Sequence, residues 1–436
     1  MLKVVEAFSG IGSQAKALKK LNKSMGIEYE VVNTIEWDIN AIIAYDLIHN
    51  DNSIIEPFKS MSREELLENV NKYSLSVDGS SVAKESSINR LNNETLKRIL
   101  TSISRNKNLV SILDVSARDL PDNIDILTYS FPCQDLSLSG YFHGDSGGID
   151  RNAKNSSSML WQVERILHEF NELNKPMPKA LIMENVASIT NHKHIDDFED
   201  WIESLNNMGY FSKYYHLQSS DFGLPQSRKR TFMISIYYGE NEDLKDLLSE
   251  ELNGLFTLEY IENRNFKSLK LKNLLRTDYT NPIYFEEAKR QVPNYTKSRI
   301  KIFEENPKIF NGKKYLDTVR TITTKQDRHP NSGTILIDKN LFELDEEKSS
   351  FRYLTPRETF ILMGFEEEDF NAIVRNNFKS TNTRMFFTDS KLLKLAGNSI
   401  VVNVIEDVFR NTILLLNRFN YSNYPRVNIS GRKELI

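Results

Sequence analysis

The first 240 residues alternate between short apolar runs and segments whose apolar residues recur at helical spacing. The short runs, which predict strands, are KVVEAF, EYEVVNTIEWD, IDILTYS, KALIMENV and RTFMISIYY. Helical spacing is found at Ala15, Leu18 and Leu21, and again in WQVERILHEF and FEDWIESLNNMG. Strands that alternate with helices predict an α/β fold built on a Rossmann-like, doubly wound, mostly parallel sheet.

The pattern changes after residue 238 to mixed polar, aromatic and basic sequence, with prolines at 282, 293 and 307, which does not continue the α/β alternation. We therefore expect residues 1–238 plus 390–425 to form one domain, with a helical insertion at about 50–110, and residues 239–389 to form a second, smaller and irregular domain. In the tail, AGNSIVVNVIEDVFRNTILLL predicts an apolar helix that buries Val401, Ile405, Val408 and Ile413.

Composition narrows the class of protein. The chain has 436 residues, of which 39% are hydrophobic and 27% charged, as in a folded domain rather than a disordered or collagen-like chain. It lacks an apolar run of roughly 18 to 20 residues and a signal-like N-terminus, which favours a cytoplasmic protein. A single cysteine, Cys133, excludes an internal disulfide and a cysteine-rich zinc site.

Charge is distributed unevenly. The formal net charge is −4, yet residues 261–320 hold 14 Lys plus Arg against 7 Asp plus Glu. A basic segment on an acidic body can steer a phosphate backbone, although Lys-rich stretches are as often just solvated surface.

A glycine turn follows the first predicted strand. Gly10, Gly12 and Ala15 fit the G-x-G-x-x-A pattern of nucleotide-binding turns, and Glu36 ends the next strand, where a carboxylate suits a ribose hydroxyl. The pattern does not separate NAD, a flavin nucleotide or S-adenosylmethionine, and a turn without a ligand stays open. Trp37 can stack on an adenine or simply pack.

Three further motifs lie at predicted strand ends. FPCQDLS places Cys133 just past a strand, where open α/β sheets bind ligands, although a lone cysteine is usually a buried hydrophobe. Glu184 of ENV ends the next strand and can donate a proton or cap a helix. QSRKR puts Arg228 and Arg230 at period two, which predicts two guanidinium groups on one strand face.

Taken in order, FSGIGSQ, FPCQDLS, ENV, QSRKR, the Thr-Arg stretch 318–328 and AGNSIVVNV resemble the motifs of DNA (cytosine-5) methyltransferases, as found in bacterial restriction-modification or solitary enzymes. The resemblance implies methyl transfer from S-adenosyl-L-methionine to carbon 5 of a flipped-out cytosine in a short sequence of double-stranded DNA. Cys133 would be the covalent nucleophile and Glu184 would act at ring nitrogen 3, with Arg228 and Arg230 orienting Glu184 and touching the base carbonyl.

The resemblance also assigns binding residues. The cofactor pocket would be lined by Phe8, Ser9, Gly10, Ile11, Gly12, Glu36, Trp37, Asp114, Val115, Pro132, Asn398 and Ser399. DNA contacts would come from Ser137, Ser139, Gln226, Arg320, Thr323 and Thr324, and the domain at 239–389 would recognise the target. It implies a monomer whose cognate endonuclease, if present, acts separately, and a mechanism without a metal.

Two features depart from the family pattern, and two other functions stay open. The segment at residues 140–160 is acidic and Ser-rich, and the insertion at about 50–110 has no assigned role. His192 and His194 suggest a metal, but histidines in a polar loop more often face solvent. The glycine turn alone would also fit an NAD-dependent dehydrogenase, and a DNA-binding protein with a decayed catalytic site is the other alternative.

Overall fold

The apolar runs of the sequence form the strands of a large central sheet. In the computed structural model, which describes residues 1–132, 136, 149, 150 and 157–419, the strands are β1 (Leu2–Ala7), β2 (Tyr29–Ile35), β3 (Ile126–Tyr129), β4 (Ala180–Val186), β5 (Tyr210–Gln218), β6 (Gln226–Ser227), β7 (Lys229–Tyr237), β8 (Lys308–Phe310), β9 (Val319–Arg320), β10 (Thr334–Leu336) and β11 (Phe351–Arg352). Cys133, Ser137 and Ser139 lie outside the described residues.

The helices of the same residues follow the predicted alternation in the first half of the chain. They are α1 (Ser13–Met25), α2 (Ile39–His49), α3 (Arg63–Val70), α4 (Glu85–Ile88), α5 (Asn93–Arg105), α6 (Leu160–Glu172), α7 (Ile195–Asn207), α8 (Glu242–Gly254), α9 (Leu258–Arg264), α10 (Leu271–Leu274), α11 (Pro282–Arg290), α12 (Lys297–Glu305), α13 (Pro356–Leu362), α14 (Glu367–Arg375), α15 (Asp389–Asn398) and α16 (Val402–Arg418).

The large sheet has the strand order β2-β1-β3-β4-β7-β5. β1 pairs in parallel with β2 and β3, β3 pairs in parallel with β4, and β7 runs antiparallel to both β4 and β5. The doubly wound, mostly parallel sheet predicted from the sequence is confirmed. Because β2 and β3 lie on opposite sides of β1, the carboxyl ends of β1 and β3 border the crevice where folds of this kind bind ligands.

Apolar side chains on both faces of the sheet bury it between two helical layers. Val4 and Ile126 face the cluster formed with α1, α2 and α16, whereas Val5 and Leu127 face the cluster formed with α6 and α7. Strands covered on both sides read as continuous apolar runs, which is why β3 and β4 were recognisable in the sequence.

Helix α1 ties the start of the chain to distant segments. It packs against α16, where Lys20 forms an ion pair with Glu406. The buried ammonium group of Lys16 lies 2.8 Å from Asp369 and 2.9 Å from Glu366, near the start of α14. A buried lysine needs such partners, since an unpaired charge in the interior is costly.

The segment at about 50–110 contains α3, α4 and α5. Helix α5 packs on α2 and α3. After α5 the chain passes the edge of the large sheet, where Thr34 and Asn108 form a parallel bridge. Earlier in the insertion, Ser76 forms a similar bridge with Asp38, so the insertion contacts both β2 and the segment after it.

Residues 239–389 contain a small sheet of order β11-β10-β8, with aromatic pairs such as the stacked rings of Phe303 and Phe351 beside it. The flanking helices of this range pack on the larger body: Leu248 and Leu252 of α8 lie in the same apolar cluster as α16, and Arg264 of α9 forms a 2.8 Å ion pair with Asp407.

The C-terminal apolar segment forms two helices rather than the one that was expected, because the chain is extended at Ser399 and Val401 between α15 and α16. Val401, Ile405, Val408 and Ile413 are nonetheless all buried, as predicted. Over the described ranges, none of the helices combines the length and the apolar character needed to cross a membrane.

Candidate active site

The glycine turn after β1 is built from left-handed backbone. Phe8, Gly10 and Gly12 have φ values of 58°, 55° and 79°. Phe8 N–H donates to the Ile35 carbonyl of β2 at 2.8 Å, and Gly12 N–H donates to the Ser9 carbonyl at 2.9 Å. Glycine adopts this backbone without strain, which explains two glycines in so short a turn.

Glu36 joins the turn to the end of β2. One carboxylate oxygen accepts from the Gly10 N–H at 2.9 Å and the other accepts from the Asp38 N–H at 2.8 Å. Burial, with the nearby Asp38 carboxylate, raises the pKa of Glu36 to about 7. The sequence motif and the acidic residue are thus brought together, as predicted, and Trp37 beside them is half-buried.

The turn rests on the half-buried His49 of α2. His49 Nε2 lies 3.1 Å from the Ile11 carbonyl oxygen, so this nitrogen carries a proton and donates it. Burial lowers the pKa of His49 to about 4. The ring of Tyr45 lies 4.6 Å from that of His49, and its hydroxyl donates to the fully buried Glu6 at 3.2 Å. Burial raises the pKa of Glu6 to about 8.

The remaining predicted cofactor residues lie on three other segments. Asp114 is exposed, whereas Val115 is buried and its carbonyl accepts from Arg165 at 2.7 Å. The Pro132 carbonyl accepts from the Ser157 hydroxyl at 2.9 Å. Asn398 is exposed at the end of α15, but Ser399 is buried and its hydroxyl donates to the Ala396 carbonyl at 2.7 Å.

These residues fit an adenosyl ligand. No atom lies within 4 Å of the position that a Cβ at Gly10 would take, so a ligand can approach the backbone there. The adjacent Glu36 keeps further acceptor capacity on both oxygens for ribose hydroxyls, and half-buried Trp37 offers a ring next to them. Glu36, Trp37 and the turn would hold S-adenosylmethionine, which supplies the methyl group when bound.

A second group of polar residues lies where β3, β4 and β7 meet. The Ser130 hydroxyl donates to one oxygen of Glu184 at 2.6 Å, and the Arg230 guanidinium lies 3.6 Å from the other oxygen. Glu184 is buried, with 6% of its surface exposed. A hydroxyl and a guanidinium therefore fix the carboxylate from two neighbouring strands.

The chain on either side of Cys133 is anchored to this group. Asn185, next to Glu184, donates to the Phe131 carbonyl at 3.1 Å, and the Ser188 hydroxyl donates to the Leu136 carbonyl at 2.6 Å. With the bond from Ser157 to Pro132, three side chains hold the backbone that enters and leaves the cysteine segment.

Arg228 does not share the position of Arg230. Its guanidinium donates to the carbonyls of Ile322, Gly397 and Ser399 at 2.9, 3.2 and 3.0 Å, and it makes no contact with Glu184. The expectation that both arginines orient Glu184 is therefore wrong for Arg228. The period-two argument fails because a tight turn, in which Arg228 N–H donates to the Gln226 carbonyl, separates β6 from β7.

Gln226, expected to contact DNA, is fully buried. Its amide donates to the Leu362 carbonyl at 2.8 Å and accepts from the Ile322 N–H at 2.9 Å. It joins segments within the protein and presents no group to DNA, so that expectation is also wrong. Its backbone pairs in parallel with β9 and brings the Thr-Arg stretch next to QSRKR.

The other expected DNA contacts have different exposures. Arg320 is exposed, whereas Thr323 and Thr324 are half-buried. The backbone of Thr323 and Thr324 packs so closely on Gly397 that a Cβ there would overlap it. Gly397 of AGNS is therefore required by the approach of the Thr-Arg stretch.

Sequence reasoning missed Ser130, Asn185 and Asn108. Ser130 and Asn185 directly adjoin FPC and Glu184, so their position in the motifs was the available signal. Asn108, which hydrogen-bonds the backbone of Glu36, carried no signal, since one asparagine in an Asn-rich segment is not distinctive.

The histidine pair differs from the expectation in part. His192 is exposed, but His194 is buried at the start of α7. Within residues 1–132, 136, 149, 150 and 157–419, no three His, Cys, Asp or Glu side chains are grouped as they would be to hold a metal ion.

Comparison with known proteins identifies the family. The sequence profile of the C-5 cytosine-specific DNA methylases matches residues 61–413. The orphan methyltransferase M.SssI of Spiroplasma monobiae is 32% identical over 93% of this chain and 96% of its own. The type II methyltransferase M2.ScrFI of Lactococcus lactis subsp. cremoris is 30% identical over 94% and 98%.

Among solved structures, the Dnmt2 methyltransferase of S. pombe matches 97% of this chain and 100% of its own with a TM-score of 0.56 at 17% identity, a likeness of fold. The dehydrogenase and the decayed DNA-binding protein are set aside by the profile and by the named relatives. The chain belongs to the C-5 cytosine-specific DNA methylases, and it transfers a methyl group from S-adenosylmethionine to carbon 5 of cytosine in DNA.

Proposed function

We propose that methyl transfer proceeds through a covalent bond between Cys133 and carbon 6 of a flipped-out cytosine, with Glu184 as the group that acts at ring nitrogen 3. The observation that carries this proposal is the fixed position of Glu184 at the end of β4. Ser130 and Arg230 hold its two oxygens, and Ser130 lies three residues before Cys133 in the chain.

The Cys133 thiolate adds to carbon 6, and the electrons of the carbon 5–carbon 6 double bond shift toward nitrogen 3. Glu184 stabilises the negative charge there by donating a proton or a hydrogen bond. Carbon 5 then carries the electron density that takes the methyl group from the sulfonium sulfur of S-adenosylmethionine, so that S-adenosylhomocysteine is the leaving group. Transfer of the carbon 5 proton to water and departure of the thiolate restore the aromatic ring, and nitrogen 3 returns its proton to Glu184.

The neighbouring side chains have supporting roles in this proposal. The Ser130 hydroxyl fixes the orientation of the Glu184 carboxylate, and Arg230 lies on its other side, where it can also reach the base carbonyl. Arg228 holds the backbone of the Thr-Arg stretch and of AGNS instead. The cofactor is bound by the glycine turn with Glu36, Trp37, Asp114, Val115, Pro132 and Asn398.

Recognition of DNA is assigned to residues 239–389, together with Arg320, Thr323 and Thr324 at their junction with the catalytic domain. Ser137 and Ser139 close over the DNA once the base has been flipped. We further propose that the enzyme works as a monomer on one short sequence, as a modification enzyme whose endonuclease, where present, is a separate protein. The type II designation of one relative supports the role as a modification enzyme.

The test is 5-methylcytosine mapping of the genome of a methylation-free bacterial host that expresses the wild-type chain, Cys133→Ser or Glu184→Gln. We expect methylation in one short context with wild type, none with Cys133→Ser, and a large loss with Glu184→Gln. Full methylation by Cys133→Ser would exclude the covalent route.

The covalent bond itself is tested with duplex DNA that contains 5-fluorocytosine at the mapped site. Fluorine cannot leave carbon 5 as a proton does, so the adduct should accumulate as a denaturation-resistant complex. Wild type should form this complex and Cys133→Ser should not. Its absence with the active wild-type enzyme would contradict the mechanism.

A further inference from the structure

Asn108 makes three hydrogen bonds that join two segments of the cofactor site. Its side-chain oxygen accepts from the Glu36 N–H at 3.1 Å and from the Val110 N–H at 2.9 Å. Its side-chain nitrogen donates to the Glu36 carbonyl at 3.0 Å. Two N–H donors and one carbonyl acceptor fix which way the amide points, and 6% of Asn108 is exposed.

The backbone around Asn108 is strained. Val110 has a φ of +66° and Lys107 a φ of +45°. A β-branched residue with positive φ is a true outlier, since its side chain collides with the backbone there. Such conformations persist only where surrounding contacts impose them, and they cluster at functional sites. The bond from Val110 N–H to Asn108 is one contact that holds this conformation.

The two segments that Asn108 joins are the ones assigned to the adenosyl group. On one side is Glu36, whose carboxylate bonds the glycine turn, followed by Trp37. On the other side, Val110 leads within a few residues to Asp114 and Val115. Holding Glu36 at both its N–H and its carbonyl fixes the peptide planes on either side of that residue, and so the direction of its side chain.

The insertion contributes a second contact of the same kind. The Ser76 N–H donates to the Trp37 carbonyl at 2.8 Å, and the Ile39 N–H donates to the Ser76 carbonyl at 3.0 Å. Ser76 therefore holds the chain immediately after Glu36. The segment from about residue 50 to 110, which had no assigned role, supports the cofactor residues from the open edge of the large sheet.

We propose that Asn108 is a positioning residue for S-adenosylmethionine, which sets Glu36–Trp37 against Asp114–Val115 by binding the backbone of both segments. The inference rests on the cofactor site given under Proposed function. Asn108 acts through Glu36 and Val110 and need not touch the ligand. Its loss should therefore weaken cofactor binding while the cytosine chemistry at Glu184 continues.

The experiment compares Asn108→Ala with Asn33→Ala in the full-length enzyme. Asn33 is also buried on β2 and also bonds the segment after α5, through the Lys107 carbonyl at 3.0 Å, but it does not contact Glu36. We expect Asn108→Ala to raise the KM for S-adenosylmethionine about tenfold, with kcat within about twofold, because more than one hydrogen bond is lost. Asn33→Ala should lower the melting temperature without that change in KM.

A second variant tests the proposal if Asn108→Ala does not fold. Asn108→Asp keeps an oxygen for the two N–H donors but places a second acceptor oxygen against the Glu36 carbonyl, so it should also raise the KM for S-adenosylmethionine. An unchanged KM in a folded Asn108 variant, or a fall in kcat alone, would overturn the proposal. Trp37→Ala tests the underlying site: if it leaves the KM unchanged, the assignment of the cofactor site fails rather than that of Asn108.

The wild-type enzyme provides a measurement that needs no variant. Addition of S-adenosylhomocysteine should slow amide hydrogen exchange both in the peptide that contains Glu36 and in the peptide that contains Val110, because Asn108 accepts a hydrogen bond from both N–H groups. Slower exchange in the Glu36 peptide alone would contradict the proposal that Asn108 holds both segments.

Discussion

The imidazole of His49 occupies the space that a Cβ atom at Gly12 would need. Gly12 also has a φ of +79°, so Gly12→Ala would combine backbone strain with overlap against the His49 ring, which is held by its hydrogen bond to the Ile11 carbonyl. We expect the free energy of unfolding, measured in urea, to fall by about 2 to 4 kcal/mol.

The matched control is Gly26→Ala. Gly26 has a φ of +69°, but no atom lies within 4 Å of an added Cβ, so only backbone strain of about 1 kcal/mol is expected. Equal losses in the two variants would mean that His49 yields to the added methyl group.

Glu6 should make stability depend on pH. Its pKa is about 8 in the fold and 4.5 ordinarily, so between these values the folded state keeps a proton that the unfolded chain loses. Stability therefore falls as the pH rises through this window, by on the order of 1 kcal/mol per pH unit. Glu6→Gln should flatten this decline, because it removes the titrating group.

The measurement is urea unfolding between pH 7 and 8, above the raised pKa of about 7 of Glu36, which contributes a slope of the same sign at lower pH. His49, with a lowered pKa of about 4, acts with the opposite sign below pH 6.5, and this range avoids it. The exposed Glu28→Gln serves as control and should keep the wild-type slope. A wild-type slope in Glu6→Gln would show that Glu6 does not carry the dependence.

Ser130→Ala should slow methyl transfer without weakening the binding of S-adenosylmethionine. Loss of the 2.6 Å bond leaves one oxygen of Glu184 without its hydroxyl donor and the carboxylate free to turn. We expect kcat to fall about tenfold, equivalent to one hydrogen bond to a charged group, with an unchanged KM for S-adenosylmethionine. Ser212→Ala, which removes a hydroxyl bonded to Ser235 on the same sheet, should leave kcat near wild type.

Arg228 and Arg230 should respond differently to the same conservative change. Arg228→Lys removes the planar group that binds three backbone carbonyls, so unfolding should become easier by about 2 kcal/mol or more. Arg230→Lys should leave the melting temperature almost unchanged and lower kcat, since Arg230 lies beside Glu184. If Arg228→Lys instead lowered kcat and Arg230→Lys instead lowered stability, Arg228 would belong to the catalytic group.

Exposed lysines of the basic stretch should contribute to DNA binding. Lys313 and Lys314 are both exposed, and changing them together to Gln should weaken binding and lower the slope of log affinity against log salt by up to about 2. The control changes the exposed Lys59 and Lys72 of the insertion to Gln, and its slope should match wild type. Identical slopes for both variants would argue against phosphate contacts at 313 and 314.

Local sequence patterns predicted the features of the fold that depend on residues close together in the chain. The turn with Gly10 and Gly12 and the strand ends that carry Glu36 and Glu184 were recognisable because strand, turn and helix each have their own spacing. The edge strand β5 was missed, since most of the residues in YFSKYYHLQ are only half-buried and do not alternate cleanly.

Long-range partners could not be predicted. Arg228 and Gln226 were expected at the DNA or the base because their residue types suit that chemistry, yet both bind backbone groups from segments about 100 residues or more away. Nothing near them in sequence indicates these carbonyls. The same applies to Asn108, whose bond to Glu36 spans 72 residues.

The buried bond from Lys16 to Asp369 spans 353 residues and has a consequence for biosynthesis. During translation, α1 leaves the ribosome long before α14 and α16 exist, so its lysine and its apolar face lack their partners throughout that time. The glycine turn therefore cannot reach its final support until the far segments have been made. An unfinished chain is thus expected to lack methylation activity, and chaperones have a long interval in which to engage it.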